Sequence, residues 1–181
     1  MTEESTAILA EFEDELRAES DRAAVILASA KLDELLYLAL TKKLLACPNA
    51  EDDLLRTDGP IGSFASRIIL AHRLGIIDDD FAKTLHLLRR IRNDFAHETL
   101  GAKLTSGSHA DRVKALCLPF KKLLEVEAKK LRYLQELEER GLRGRFEFAC
   151  YYCIVQLEET IDQTVSLARP KPGFLDWAKT A

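Results

Sequence analysis

The chain has 181 residues, 47% of them hydrophobic, with 30 acidic against 26 basic side chains and a net charge of −4 at pH 7. That is enough apolar material for one ordinary core. The acidic balance excludes a protein that coats nucleic acid non-specifically, because such binding rests on summed Lys/Arg–phosphate contacts.

The opening MTEESTAILAEFEDE lacks a basic n-region and an uninterrupted apolar stretch. No run reaches the roughly 18 apolar residues that cross a bilayer. Of the four cysteines, Cys47 precedes a proline, Cys117 is isolated, and Cys150 and Cys153 form a C-x-x-C. A reduced, cytoplasmic protein without disulfides or membrane contact is expected.

Apolar residues recur at the helical period along nearly the whole chain, and no segment alternates as a strand would. The first helix is predicted over residues 5–19. A second, over 21–46, is apolar on almost every side, with Val25, Ala28, Leu32, Leu35, Leu36 and Ala39 on one stripe and Leu27 and Leu38 across from it; it belongs in the middle of the fold. Residues 47–62 read as a loop with a turn at Asp58-Gly59-Pro60. A third helix spans 63–74 and stops at Gly75.

Asp78, Asp79 and Asp80 cap a fourth helix that runs to about Glu98, their charge matching the macrodipole. Ser108-x-x-Asp111 marks the start of a shorter helix, and Pro119 kinks it or opens the next. The charged stretch 123–141 is helical. The final helix covers 142–167, with Phe146, Cys150, Cys153, Leu157, Ile161 and Val165 on one stripe. The expectation is an all-α, compact single-domain bundle of about six to eight helices over 1–168, followed by a short tail, 169–181, that bears Trp177.

The fourth helix concentrates the chemistry in LRRIRNDFAH, residues 88–97. At 3.6 residues per turn, Phe81, Leu85, Leu88, Ile91 and Phe95 form a core stripe, and His86, Arg90, Asn93 and His97 a polar stripe opposite. Arg92 falls among the apolar positions. A guanidinium there needs an anionic partner, and Glu34 on the second helix is the expected one.

Other chemistries find little support. The four histidines are spread over three segments without ligand spacing, and Cys150 and Cys153 sit on a core stripe, so neither metal nor cofactor is expected. The third and fourth helices imitate a helix-turn-helix, but Asp78–Asp80 would face the phosphates, so direct DNA reading is not expected. Gly59-Pro60-Ile61-Gly62 lacks the lysine of a phosphate loop. An RNA-cutting site could use His97 to move a proton at a ribose hydroxyl and Arg92 to hold the phosphate, beside Asn93. Five residues apart on a regular helix, however, Arg92 and His97 diverge by roughly 140°.

The run Gly59-Pro60-Ile61-Gly62-Ser63-Phe64-Ala65-Ser66-Arg67, then Leu70-Ala71, Leu74-Gly75-Ile76-Ile77 and Ile91-Arg92-Asn93-Asp94-Phe95-Ala96-His97 resembles the MltR (mannitol operon repressor) family. The resemblance spans residues 59–97, with the second helix and the Arg145-Phe146 helix in the family's order. It implies a compact helical regulator linked to repression of mannitol utilisation. Arg92, Asn93 and His97 are also similar to the R-x4-6-H element of HEPN domains, which are helical dimers and in many cases metal-independent ribonucleases.

The reading favoured is a self-associating, dimeric regulator that acts through a protein partner or a small ligand. Asp58, Arg67, Arg90, Arg92, Asn93 and His97 are its binding residues. The alternative is a HEPN-type ribonuclease acting on RNA with Arg92, Asn93 and His97 as its catalytic set.

Overall fold

In the computed structural model, described over residues 3–48, 51–98, 101–128 and 132–169, the chain is all-helical. The helices are α1 (Glu3–Ala18), α2 (Asp21–Lys43), α3 (Phe64–Arg73), α4 (Asp79–His97), α5 (Gly107–Cys117), α6 (Lys121–Ala128), α7 (Arg132–Glu139) and α8 (Leu142–Gln163), with a 3-10 turn at Leu118–Phe120 between α5 and α6. The all-α bundle expected from periodicity is what forms. Among the described residues no helix is long and apolar enough to cross a membrane.

α2 is the central rod, packed against α1, α3, α4 and α8. Ser20 caps it by accepting from Ala23 N at 3.2 Å, which satisfies one of the amides a helix start leaves free. Val25, Ala28, Leu32, Leu36, Ala39 and Leu40 are fully enclosed, but Ile26 and Leu38 reach the surface. Its apolar residues therefore form a broad face rather than a full cylinder.

From α8, Phe146, Cys150, Cys153, Ile154 and Leu157 join that core, and from α4 so do Leu85, Leu88, Ile91 and Phe95. Phe81, expected in the same stripe, is only half-buried, and Ala82 is the enclosed residue in that turn.

Three polar devices lock the helices together. Asp21, at the start of α2, takes Arg143 Nη1 on one oxygen at 2.7 Å and Leu104 N on the other at 2.8 Å. Arg143 also donates from Nη2 to Leu16 O (2.8 Å) and Glu19 O (3.2 Å), closing α1 onto α8. Beyond α8, Leu167 N donates to Lys43 O at 2.8 Å, tying the chain to the end of α2.

Three boundaries differ from expectation. α8 stops at Gln163, and Val165, placed by periodicity on its core stripe, is exposed because the chain has already turned extended toward Lys43. α5 begins at Gly107 with Ser106 as its cap position, so Ser108 does not open it, and Asp111 pairs with Lys114 instead. Pro119 opens the 3-10 turn that leads into α6, the second of its two expected placements. The charged stretch expected as one helix contains parts of α6 and α7, and the tail from residue 170, Trp177 included, lies outside the described residues.

α7 and α8 meet at Gly144, where any Cβ would run into the carbonyl of Leu137. Gly141, between them, has φ +63, a left-handed conformation that favours glycine.

Candidate functional site on the fourth helix

α4 forms where its sequence dictates. Asp78 accepts from Phe81 N at 2.7 Å as the N-cap, Asp79 and Asp80 occupy the positive first turn, and His97 the negative last turn. The helix is regular through His97, and Glu98 N donates to Asp94 O as it closes.

The carboxylates near its C-terminal end are already engaged. Asp94 is held by the Arg112 guanidinium of α5. Glu98 contacts His109 through its carboxylate, and its backbone carbonyl accepts from Arg22 of α2. His109 is nearly enclosed, its ring 4.7 Å from that of Phe95.

The cations on the other faces are left over. Among the described residues, Arg89, Arg90 and Arg92 have no ion pair and no side-chain hydrogen bond, nor do Asn93 and His97. Arg90 and His97 are exposed and the other three are half-buried. The Nε of Arg89 is buried and meets no acceptor.

His86 shares this patch. Burial, then Arg89, Arg90 and His72, push its imidazole below the ordinary histidine range, so it is neutral at pH 7. His72 on α3 is itself engaged by Asp79 at 2.6 Å. The result is a cation-rich ridge whose nearest acids are committed elsewhere, on a chain with an acidic total.

Two expectations fail. Arg92 does not pair with Glu34: that carboxylate is exposed and takes Lys31, one turn away on α2, at 3.2 Å. Arg92 stays half-buried, so it is not forced into the desolvated position that would have demanded a partner.

Arg67 is not presented for binding either. It is 9% exposed, donates to Asp33 Oδ1 at 2.8 Å and Leu55 O at 3.1 Å, and lies 5.2 Å from the centre of the Tyr37 ring. It clamps the 51–62 loop onto α2, a packing role set by the enclosure of that junction. Asp58 remains at the surface, 3.3 Å from Arg56 Nε.

Arg92 and His97 are not brought together within this chain. The unbroken helix keeps them roughly 140° apart, whereas Asn93 and His97, four apart, share a face. Among the described residues no three metal-ligating side chains cluster. Burial pushes the Cys117 thiol up to about 12 and also raises Cys150 and Cys153, so none of these is a reactive thiolate at neutral pH.

Sequence reasoning missed Arg22, His109 and Arg112, whose partners lie far along the chain, and the Arg143–Glu147 pair, whose i, i+4 spacing on α8 was a readable signal.

No known family profile and no curated protein matches the sequence. Among solved structures, the fold is similar to a chain of the X-ray structure of the MtlR-HPr complex from Escherichia coli, with a TM-score of 0.60 and 20% identity over 83% of this chain and 98% of that one. The bundle described here is therefore an MtlR-like fold.

Proposed function

We propose that this protein is a regulator of the MltR type that works by docking a protein partner along the C-terminal half of α4, through Arg89, Arg90, Asn93 and His97, with Arg92 at the flank of that surface. The observation that carries the reading is that three guanidiniums on one helix lack any carboxylate within the described residues, while Asp94 and Glu98 beside them are engaged by α2 and α5. Unpaired, clustered arginines are enriched at interfaces, where they meet acidic groups in fork geometry. The fold likeness adds support, since that protein was solved in complex with HPr.

In this reading the protein is cytoplasmic and dimeric, uses no cofactor, and represses a mannitol operon without a DNA-reading helix. A ribonuclease would need Arg92 of one chain beside His97 of another.

The test is affinity capture from the native host with wild-type protein and an Arg90→Glu/Arg92→Glu variant, beside incubation of single-stranded RNA in EDTA. Partners retained by the wild type and lost by a variant that stays folded support the reading. Identical captured sets overturn the α4 surface. RNA cleavage abolished by both His97→Ala and Arg92→Ala replaces the regulator with a nuclease.

A further inference from the structure

The cationic ridge begins at His86, which stands one turn before Arg89 and Arg90 on α4, at the spacings where helical side chains are neighbours. Burial, then the charges of Arg89, Arg90 and His72 of α3, keep this imidazole neutral. The carboxylates of α4 and its cap do nothing to offset that field, because each already has a partner. Asp78 accepts from Phe81 N, Asp79 takes His72, Asp80 takes Lys83 at 2.8 Å, and Asp94 takes Arg112. Arg89 adds a second observation: its Nε is enclosed and meets no acceptor. A buried donor left unmade costs free energy that an incoming acceptor returns.

On the reading that α4 docks a protein partner, we propose that His86, Arg89 and Arg90 are the seat of an acidic segment of that partner, one presenting at least two neighbouring Asp or Glu carboxylates. Two adjacent guanidiniums receive carboxylates in fork geometry. The sign of the charge is the one that α4 lacks there.

Seating such a segment also changes His86. A carboxylate beside it reverses the field that keeps it neutral and favours the imidazolium. Binding therefore takes up a proton. The partner's carboxylates stay ionised above pH 6, so a pH dependence between 6 and 8 comes from the imidazole. Affinity is highest at the acid end and falls by up to about tenfold per pH unit, until pH passes the value of His86 in the complex. His97 lies about 16 Å further along the helix axis, beyond a screening length in physiological salt.

A fluorescein-labelled hexaglutamate peptide is the probe, titrated with the full chain and followed by anisotropy. Its Kd is expected to rise several-fold from pH 6 to pH 8. Arg89→Gln and Arg90→Gln should each weaken binding several-fold with unchanged circular dichroism; Arg90 is exposed, so its variant tests the seat even if Arg89→Gln disturbs packing. His86→Gln should abolish the pH slope, and His97→Gln should retain it.

A slope that survives His86→Gln overturns the seat, as does binding indifferent to both arginine variants. Inorganic phosphate that displaces the peptide at lower concentration than glutarate assigns the seat to a phosphoryl group and overturns the acidic segment. Failure of the peptide to bind, while partner capture still depends on Arg90 and Arg92, overturns the seat alone. Capture independent of those arginines overturns the docking surface as well.

Discussion

Arg143 and Glu147 stand one turn apart on α8 with Nε and Oε1 at 2.6 Å, and between them they gather α1, α2 and the end of α7. Glu147 is 5% exposed and accepts Arg140 as well, at 2.6 and 2.9 Å on its two oxygens. A carboxylate so enclosed is tolerable only because both guanidiniums satisfy its lone pairs.

Removing Arg143 leaves one oxygen of Asp21 and two carbonyls without that donor, and leaves Glu147 with Arg140 alone. Arg143→Ala is expected to lower stability by about 3–5 kcal/mol. Urea unfolding followed by circular dichroism measures it, and a loss below about 1 kcal/mol, the scale of a surface pair, would contradict the network.

Gly144 allows α7 to press its backbone against α8. Gly144→Ala must push the two apart and should cost about 3 kcal/mol or more. Gly141→Ala has open space but a left-handed φ, so a smaller loss of about 1–2 kcal/mol is expected. Thermal melts of the two variants should rank in that order.

The Arg67 clamp predicts a local effect. Arg67→Ala gives up the bonds to Asp33 and Leu55 O and should lose about 2 kcal/mol. Amide exchange should quicken in residues 51–62 before it does in α8. Arg67→Lys restores a single donor and should recover only part of the loss.

The thiols give a pH prediction. Cys47 is exposed, whereas Cys117, Cys150 and Cys153 are buried, and burial raises the last three. A thiol reagent at pH 8 should label Cys47 alone in the native protein and all four cysteines in denaturant. Above the ordinary thiol range the unfolded chain releases protons that the folded chain retains, so stability should fall as pH rises through about 9. Replacing Cys150 and Cys153 by alanine should flatten that fall.

What the sequence made legible was whatever repeats locally. The stripes of α2, α4 and α8 follow from a period of 3.6, and Asp78 announces its helix because a cap acts on the amide three residues on. Pairings across the chain were not legible. Arg92 looked buried because its neighbours on the wheel are apolar, yet a wheel does not say how far the covering helix extends, and Glu34 found Lys31 nearby. Arg67 looked like a surface cation in a motif; only the position of Asp33, 34 residues earlier, turns it inward. Val165 kept the helical period after α8 had ended, because what ends the helix is a bond to Lys43, remote in sequence.

Asp21 leaves the ribosome long before the groups that satisfy it. Its two oxygens wait for an amide 83 positions later and a guanidinium 122 positions later. While the chain is being made, the seam between the first two helices therefore stays open, with water in place of both donors. The final helix does more than complete the bundle: its Arg143 supplies the last donor to Asp21 and the bond that fastens the end of α1.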